Sequence, residues 1–197
     1  FDSLTGQWAT QGPRLYMHLR LLNKPELDLA TIRDEYFAAF GPAAETMERY
    51  FGYWEDYAFE NRMRFIKLWW DVGWRYSSYV RCAHEAFPRA CFEPAEKLLE
   101  QALEEAAEDP LAEFAGRVGF VQVGLEHAKL ARDLCAVYDG NEMVPPDKLE
   151  AARHALHKLV AFRKAHEHLF FSDLLHTTSF WERPRLNVDA LAKTLEE

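Results

Sequence analysis

The amino-acid sequence predicts an all-α protein built as a multi-helix bundle. Apolar residues recur at three- and four-residue spacing over long segments, and no segment keeps the period-two alternation of a half-buried strand. Proline adds a third observation, since it is tolerated in the first turn of a helix and presets φ there. Segments with helical periodicity follow Pro42, Pro94, Pro110 and Pro146. We therefore predict four helices that begin at these prolines, and no sheet beyond a short strand at residues 1–4.

The first half of the chain predicts helices at residues 13–22, 28–40 and 42–87. The third of these segments contains Gly52 and Gly73, and glycine inside a helix costs roughly 1 kcal/mol relative to alanine. We therefore expect this segment to be broken or bent near Gly52 or Gly73. Residues 1–12 lack helical periodicity, and we expect an irregular loop there.

The second half predicts helices at residues 95–107, 110–138, 146–170 and 187–195. The helix after Pro110 has the clearest apolar face, formed by Phe114, Val118, Val121, Leu125, Ala128, Ala131, Cys135 and Tyr138. The charged residues of this helix fall largely on its other side. The helix after Pro146 repeats the pattern with Leu149, Ala152, Leu156, Leu159 and Phe162. Both helices are therefore expected to bury one side in a common core.

Composition and charge exclude several classes of protein. A chain that is 49% hydrophobic and 28% charged is too apolar for disorder and too interrupted by charge for a membrane span, so we expect a water-soluble globular protein. The net charge of −9, without any lysine- or arginine-rich run, argues against nucleic acid and anionic membrane as partners. No basic and apolar targeting signal is expected within this chain, and the sequence leaves the compartment open.

The side chains that most often bind metals are present but poorly spaced for it. Four histidines fall in the helix after Pro146: His154, His157, His166 and His168. His166 and His168 are about 200° apart on a helical wheel, and no HExxH or ExxH motif occurs. Three cysteines, Cys82, Cys91 and Cys135, show no CxxC spacing and are expected to be buried thiols. The sequence therefore predicts no metal site and no cofactor.

Carboxylates are abundant without forming a recognisable catalytic pair. A glycosidase needs two of them roughly 5–10 Å apart across a sugar-sized cleft. Glu100, Glu104, Glu105 and Glu108 follow one helix face, as a solvated surface would. We assign no catalytic residue in this chain.

Aromatic residues are dense between residues 50 and 79, where twelve of them occupy too many helix faces to fill one core. Aromatic side chains fill cores, cover domain interfaces and stack on sugars. We expect a helix packed on both sides, with one side facing another domain. The residues assigned to this interface are Trp54, Trp69, Trp70 and Trp74.

Two motifs carry a resemblance to a known family. The segment FDSLTGQWATQGPRLY is followed by a helix and then by DEYFAAFGPAAETMERYFGYWE. This order resembles a family of large bacterial glycoside-hydrolase-like proteins, known as a domain of unknown function, that looks distantly like α-glucuronidases. The pattern of that family is matched by Phe40, Gly41, Pro42, Ala43, Ala44 and Tyr50.

The resemblance implies a (β/α)₈ barrel whose last strand runs into a C-terminal helical domain. Residues 1–24 would be the end of that barrel, with a strand, a loop and a helix, and residues 25–197 the helical domain. Active sites of such barrels lie where strands end. The resemblance therefore implies that Trp8 stacks on a sugar ring and that Gln11 hydrogen-bonds a sugar hydroxyl, both from a loop after the strand.

Two hypotheses of function follow. In the first, the chain is the C-terminal helical domain of a carbohydrate-active, glycoside-hydrolase-like protein. It packs on an upstream barrel of the same protein and contributes to the wall of a cleft for an oligo- or polysaccharide. In the alternative, it is a freestanding helical module for protein interaction or self-association, without catalysis. A helical metalloenzyme is a third reading, motivated by the histidines alone. The oligomeric state is left open by all three.

Overall fold

The computed structural model describes residues 8–71, 79–107, 112–138 and 144–169. Within these ranges the chain is all-α, which confirms the predicted helical bundle, and no strand is present. The α-helices are α1 (Trp8–Asn23), α2 (Leu29–Ala38), α3 (Ala44–Glu60), α4 (Arg62–Asp71), α5 (Tyr79–Ala86), α6 (Glu93–Ala106), α7 (Glu113–Tyr138) and α8 (Leu149–His166). The strand predicted at residues 1–4 and the helix predicted at 187–195 lie outside the described residues.

Helix α7 is the central element of the bundle, since α1, α5, α6 and α8 all pack against it. Its predicted apolar face is confirmed: Val118, Val121, Leu125, Cys135 and Tyr138 are buried. A helix that is covered on several sides needs apolar residues over most of its circumference. The position of α7 follows from this distribution.

Two groups of buried side chains form the core on either half of α7. The first joins α2, α3 and α6 to the N-terminal half of α7 and includes Met47, Leu99 and Val118. The second joins α5 and α8 to the C-terminal half and includes Leu134 and Leu159. Burying each large apolar side chain contributes about 1.5–3 kcal/mol. The two groups therefore hold the bundle together through one shared helix.

Proline and capping residues set the helix starts. Pro42 lies in a 3₁₀ turn that leads into α3, Pro94 lies in the first turn of α6, and Pro146 begins a 3₁₀ turn before α8. These three predicted starts are confirmed, and Pro110 lies outside the described residues. Helix α2 begins differently, because the Asp28 carboxylate accepts a hydrogen bond from the Thr31 backbone N–H at 3.2 Å.

The predicted start of α1 was wrong. The helix begins at Trp8, five residues before Pro13, which lies inside it. Proline there removes one backbone donor, yet the first turn is held by packing: Ala9 is buried, and a Cβ placed on Gly124 of α7 would collide with the Ala9 side chain. Contact between two small residues allows the two helices to approach closely and offsets the local penalty.

No break occurs at Gly52, one of the two places where a break or bend was expected, because Gly52 lies within α3, which ends at Glu60 with Asn61 as its C-cap. The Tyr57 carbonyl accepts both the Asn61 backbone N–H at 3.1 Å and the Asn61 side-chain amide at 2.9 Å. Gly73 lies outside the described residues. The proposed domain division after residue 24 falls between α1 and α2, which contact each other, and it stays a prediction.

Candidate functional site

An apolar cavity of about 620 Å³ lies beside α7, where the two core groups meet. Helices α1, α3, α4, α5 and α7 contribute to its wall, together with Phe87 and Phe92 from the segment between α5 and α6. Its lining residues are Thr10, Gln11, Tyr50, Phe51, Trp54, Ala58, Phe65, Leu68, Trp69, Cys82, Ala83, Ala86, Phe87, Phe92, Gly124, Leu125, His127, Ala128, Ala131 and Arg132.

Aromatic rings packed edge to face form one side of this cavity. The Trp54 ring lies 5.5 Å from Phe92 and 6.3 Å from Phe87, centroid to centroid. The Phe65 ring of α4 lies 5.4 Å from Phe87. Two tyrosine hydroxyls anchor α3 near this wall, since Tyr53 donates to the Cys91 carbonyl at 2.6 Å and Tyr57 to the Ala86 carbonyl at 2.8 Å. The wall is therefore held by hydrogen bonds from tyrosine hydroxyls to backbone carbonyls, as well as by ring packing.

Few polar groups reach the cavity. Among the described lining residues, Arg132 is the one with a permanent charge, and its guanidinium is already bonded: Nε donates to the Phe87 carbonyl at 3.0 Å and Nη1 to the Asp133 carboxylate at 2.8 Å. Gln11 also lines the cavity, and its Oε1 atom is buried without a hydrogen-bond partner among the described residues. No carboxylate belongs to the described lining, so these residues do not form the acid pair that glycoside hydrolysis requires.

His127 is a buried titratable residue of the cavity wall. Burial, and secondarily the positive charge of Arg163, lower the pKa of His127 to about 3. Arg163 is itself buried, and its Nε donates to His127 Nε2 at 3.0 Å. A ring nitrogen that accepts this bond carries no proton, so the imidazole is neutral at physiological pH.

A second feature lies on the outer side of α3 and α4. Phe59, Met63, Ile66 and Trp70 are 66%, 68%, 45% and 71% exposed, and we call them the α3–α4 stripe. Their spacing of four, three and four residues brings Met63, Ile66 and Trp70 onto one side of α4, with Phe59 one turn earlier. None of the ten residues of α4 is buried.

The opposite side of α4 faces the cavity through Phe65, Leu68 and Trp69. Helix α4 therefore has two apolar sides, as the aromatic density of the sequence predicted. One side packs inward on the bundle, and the other carries the stripe.

The structure separates the residues that the sequence grouped as a sugar site and an interface. Trp8 is 47% exposed and does not line the cavity, whereas Gln11 does. Both lie in α1, so their predicted placement in a loop was wrong. Trp54 and Trp69 line the cavity, Trp70 belongs to the stripe, and Trp74 lies outside the described residues.

The four histidines of the C-terminal region do not converge. His154, His157 and His168 are exposed, and His166 Nδ1 lies 2.9 Å from the Phe162 carbonyl oxygen of the preceding turn. Within residues 8–71, 79–107, 112–138 and 144–169, no three His, Cys, Asp or Glu side chains are grouped so as to hold a metal ion. The expectation of buried thiols is confirmed for the cysteines, since all three are buried and none is paired in a disulfide.

Sequence reasoning missed His127, which lies between Gly124 and Ala131 on the side of α7 that lines the cavity. A histidine within the small and apolar face of a central helix was the available signal.

In the described part of the chain, no helix has both the length and the apolar character needed to cross a membrane. Comparison with protein-family models, with curated proteins and with solved structures finds no match.

Proposed function

We propose that this chain is the C-terminal helical domain of a carbohydrate-active, glycoside-hydrolase-like protein and packs on an upstream catalytic barrel. The observation that supports this most directly is the α3–α4 stripe, four large apolar side chains that are each at least 45% exposed. Contiguous exposed apolar surface of this kind marks an interaction site. The choice of a barrel as the partner is supported by the family resemblance of the FDSLTGQWATQGP and FGPAA motifs.

The residues around the stripe suit a domain interface. Exposed charges of both signs lie beside the stripe along the chain, with Arg62 and Lys67 within α4, Glu60 just before it and Asp71 at its end. The Arg62 guanidinium lies 4.1 Å from the centre of the Phe59 ring. An apolar centre with a charged rim is the usual composition of an interface between separately folded units. We expect charged residues of both signs on the barrel surface opposite α4.

In this proposal the catalytic carboxylates belong to the barrel, because the cavity of the helical domain contains none among its described lining residues. The exposed Trp8 ring at the start of α1 then lies nearest to the barrel and lines the sugar cleft by stacking. The helical domain positions the barrel and completes one wall.

The first test is the intact mass of the native gene product that contains this segment. We expect a mass well above the 23.0 kDa of the present chain. A native product of about 23.0 kDa would overturn the proposal. Hydrolysis of a panel of fluorogenic aryl glycosides and glucuronides by the native product, but not by residues 1–197 alone, is the expected activity.

The second test measures whether the stripe is covered in the native product. Hydroxyl-radical labelling of Met63 and Trp70 should be at least fivefold slower there than in residues 1–197 produced alone. Leu29 is a matched control, since it is 53% exposed in α2, belongs to the helical domain and lies off the stripe. Equal labelling of Trp70 in both samples would contradict the proposed interface.

Self-association is the second candidate function, and it uses the same stripe. If two copies pair through it, residues 1–197 should sediment as a dimer, and Trp70→Ser should return a monomer while Leu22→Ser should not. A monomeric wild-type chain at micromolar concentration would exclude this candidate and leave the barrel as the partner.

A further inference from the structure

We infer that the cavity beside α7 is a binding site for an uncharged aromatic small molecule that carries a hydroxyl group. Nothing in the barrel proposal requires this site, and the two can fail separately. The inference depends on the size of the cavity, on its aromatic wall and on the few polar groups in it.

The volume of about 620 Å³ lies in the range of small-molecule pockets, roughly 300–1,000 Å³. Water in such a space finds few hydrogen-bond partners, because the lining is largely carbon. An apolar ligand that displaces this water gains dispersion contacts with the wall at little polar cost.

The aromatic wall favours a planar ligand. Trp54, Phe65 and Phe87 meet at tilted or edge-to-face angles of 40° to 64°. An inserted aromatic ring can therefore add an edge-to-face or offset contact to each neighbour. Ala86, Ala128 and Ala131 leave the space for the ring open, since their side chains end at Cβ.

The charges exclude ions and argue against sugars. No described lining residue is a carboxylate that could hold a cation, the Arg132 guanidinium is already bonded, and the low pKa of His127 keeps its ring neutral. A sugar would bury several hydroxyls with too few partners. A ligand with one hydroxyl fits better, because that group pairs with the side-chain amide of Gln11, whose Oε1 is otherwise unsatisfied among the described residues.

The probe for the test is 2-naphthol, titrated into the native gene product by tryptophan fluorescence and isothermal calorimetry. We expect saturable one-to-one binding with a dissociation constant on the order of 10–100 μM. Naphthalene should bind more weakly by about tenfold, and 1-naphthoate and cellobiose should not compete. Absence of saturable 2-naphthol binding, or tighter binding of either competitor, would overturn the inference.

Two variants that replace an exposed alanine by tryptophan test the location of the site. Ala58 is exposed and lines the cavity, so it lies at the mouth, and Ala58→Trp should weaken 2-naphthol binding at least tenfold. Ala38→Trp is the matched control, on an exposed position of α2 away from the cavity, and should change affinity less than twofold. Equal effects of the two variants would place the ligand elsewhere and overturn the inference.

Gln11→Met removes the hydrogen bond to the ligand hydroxyl while keeping a side chain of similar size in the cavity. It should reduce 2-naphthol affinity about fivefold to tenfold and leave naphthalene affinity unchanged, which removes the preference between the two probes. A loss shared equally by both probes would show that Gln11 acts by packing alone and would overturn the assignment of a hydroxylated ligand. Far-UV circular dichroism of every variant confirms that the comparison is made on folded protein.

Discussion

At the residue scale, Gly41 is a position where side-chain size and backbone conformation both matter. Its φ is +56°, and a Cβ added there would lie 2.6 Å from the Phe114 ring. We expect Gly41→Ala to reduce the free energy of unfolding by about 2 kcal/mol, since L-residues disfavour this φ and the ring must move. Urea denaturation measures it.

Gly116 supplies the control for that measurement. It lies exposed in α7, and a Cβ there would meet no atom within 4 Å. Gly116→Ala should therefore stabilise the protein by up to about 1 kcal/mol. If Gly41→Ala stabilised the protein as well, the proposed strain at Gly41 would be disproved.

The second prediction at this scale concerns His127 and pH. Its pKa is about 3 in the folded protein, because burial disfavours the imidazolium, and should return to about 6.5 on unfolding. Between these values the unfolded chain binds a proton that the folded protein does not. The free energy of unfolding should therefore fall as the pH drops below about 6.5, by up to about 1.4 kcal/mol per pH unit.

Other groups titrate in the same window, so variants are needed to isolate His127. His127→Gln keeps an acceptor for Arg163 and should flatten the dependence of stability on pH between pH 4 and 6. His154→Gln, at an exposed position of α8, should leave it unchanged. Chemical denaturation at a series of pH values gives both slopes, and identical slopes for the two variants would count against the buried neutral imidazole.

At the element scale, the tyrosine hydroxyls of α3 hold neighbouring segments by their backbone carbonyls. Tyr57 donates to the Ala86 carbonyl at the end of α5, and burial raises the pKa of Tyr57 to about 12. Tyr57→Phe should cost about 1 kcal/mol or somewhat more, because it leaves a partly buried carbonyl without its donor. Thermal or urea unfolding checks this.

Tyr16 is the matched control for that variant. Its hydroxyl donates to the exposed Glu35 carboxylate at 3.2 Å, where water can replace it. Tyr16→Phe should change stability by less than about 0.5 kcal/mol. Equal losses in the two variants would mean that the Tyr57 hydroxyl has no special structural role.

The accuracy of prediction at this scale depended on whether a signal was local. The face of α7, from Val118 to Tyr138, and the proline starts at Pro94 and Pro146 follow from spacing and φ, and both were predicted correctly. The start of α1 depends on Ala9 meeting Gly124, 115 positions away in sequence. The end of α3 at Glu60 is accompanied by a side-chain hydrogen bond from Asn61 to the Tyr57 carbonyl. The spacing of apolar residues along the sequence predicts neither a long-range packing contact nor a single side-chain hydrogen bond.

The candidate sites show the same limit. Aromatic density over residues 50–79 predicted apolar rings on more than one side of a helix, because a helix cannot direct so many rings to one side, and α4 has two such sides. That its outer side faces another domain stays a prediction. The cavity was not predicted, since its wall combines residues from Thr10 to Arg132 that come together only in the folded chain.

At the scale of the whole molecule, the two core groups share α7 and should unfold together. Leu99→Ala in the first group and Leu156→Ala in the second should each cost about 2–5 kcal/mol and lower one common transition. The measurement is thermal unfolding followed by both far-UV circular dichroism and tryptophan fluorescence. Separate shifts of two transitions would show that the groups are independent units.

The contact between Ala9 and Gly124 also has an evolutionary consequence. Because a Cβ at position 124 has no room while position 9 carries one, the two sites cannot enlarge independently. In homologous chains, we expect alanine or serine at position 124 to occur together with glycine at position 9, or with a shifted α1. This pair should therefore vary in concert, and the pattern would reveal the α1–α7 packing without a structure.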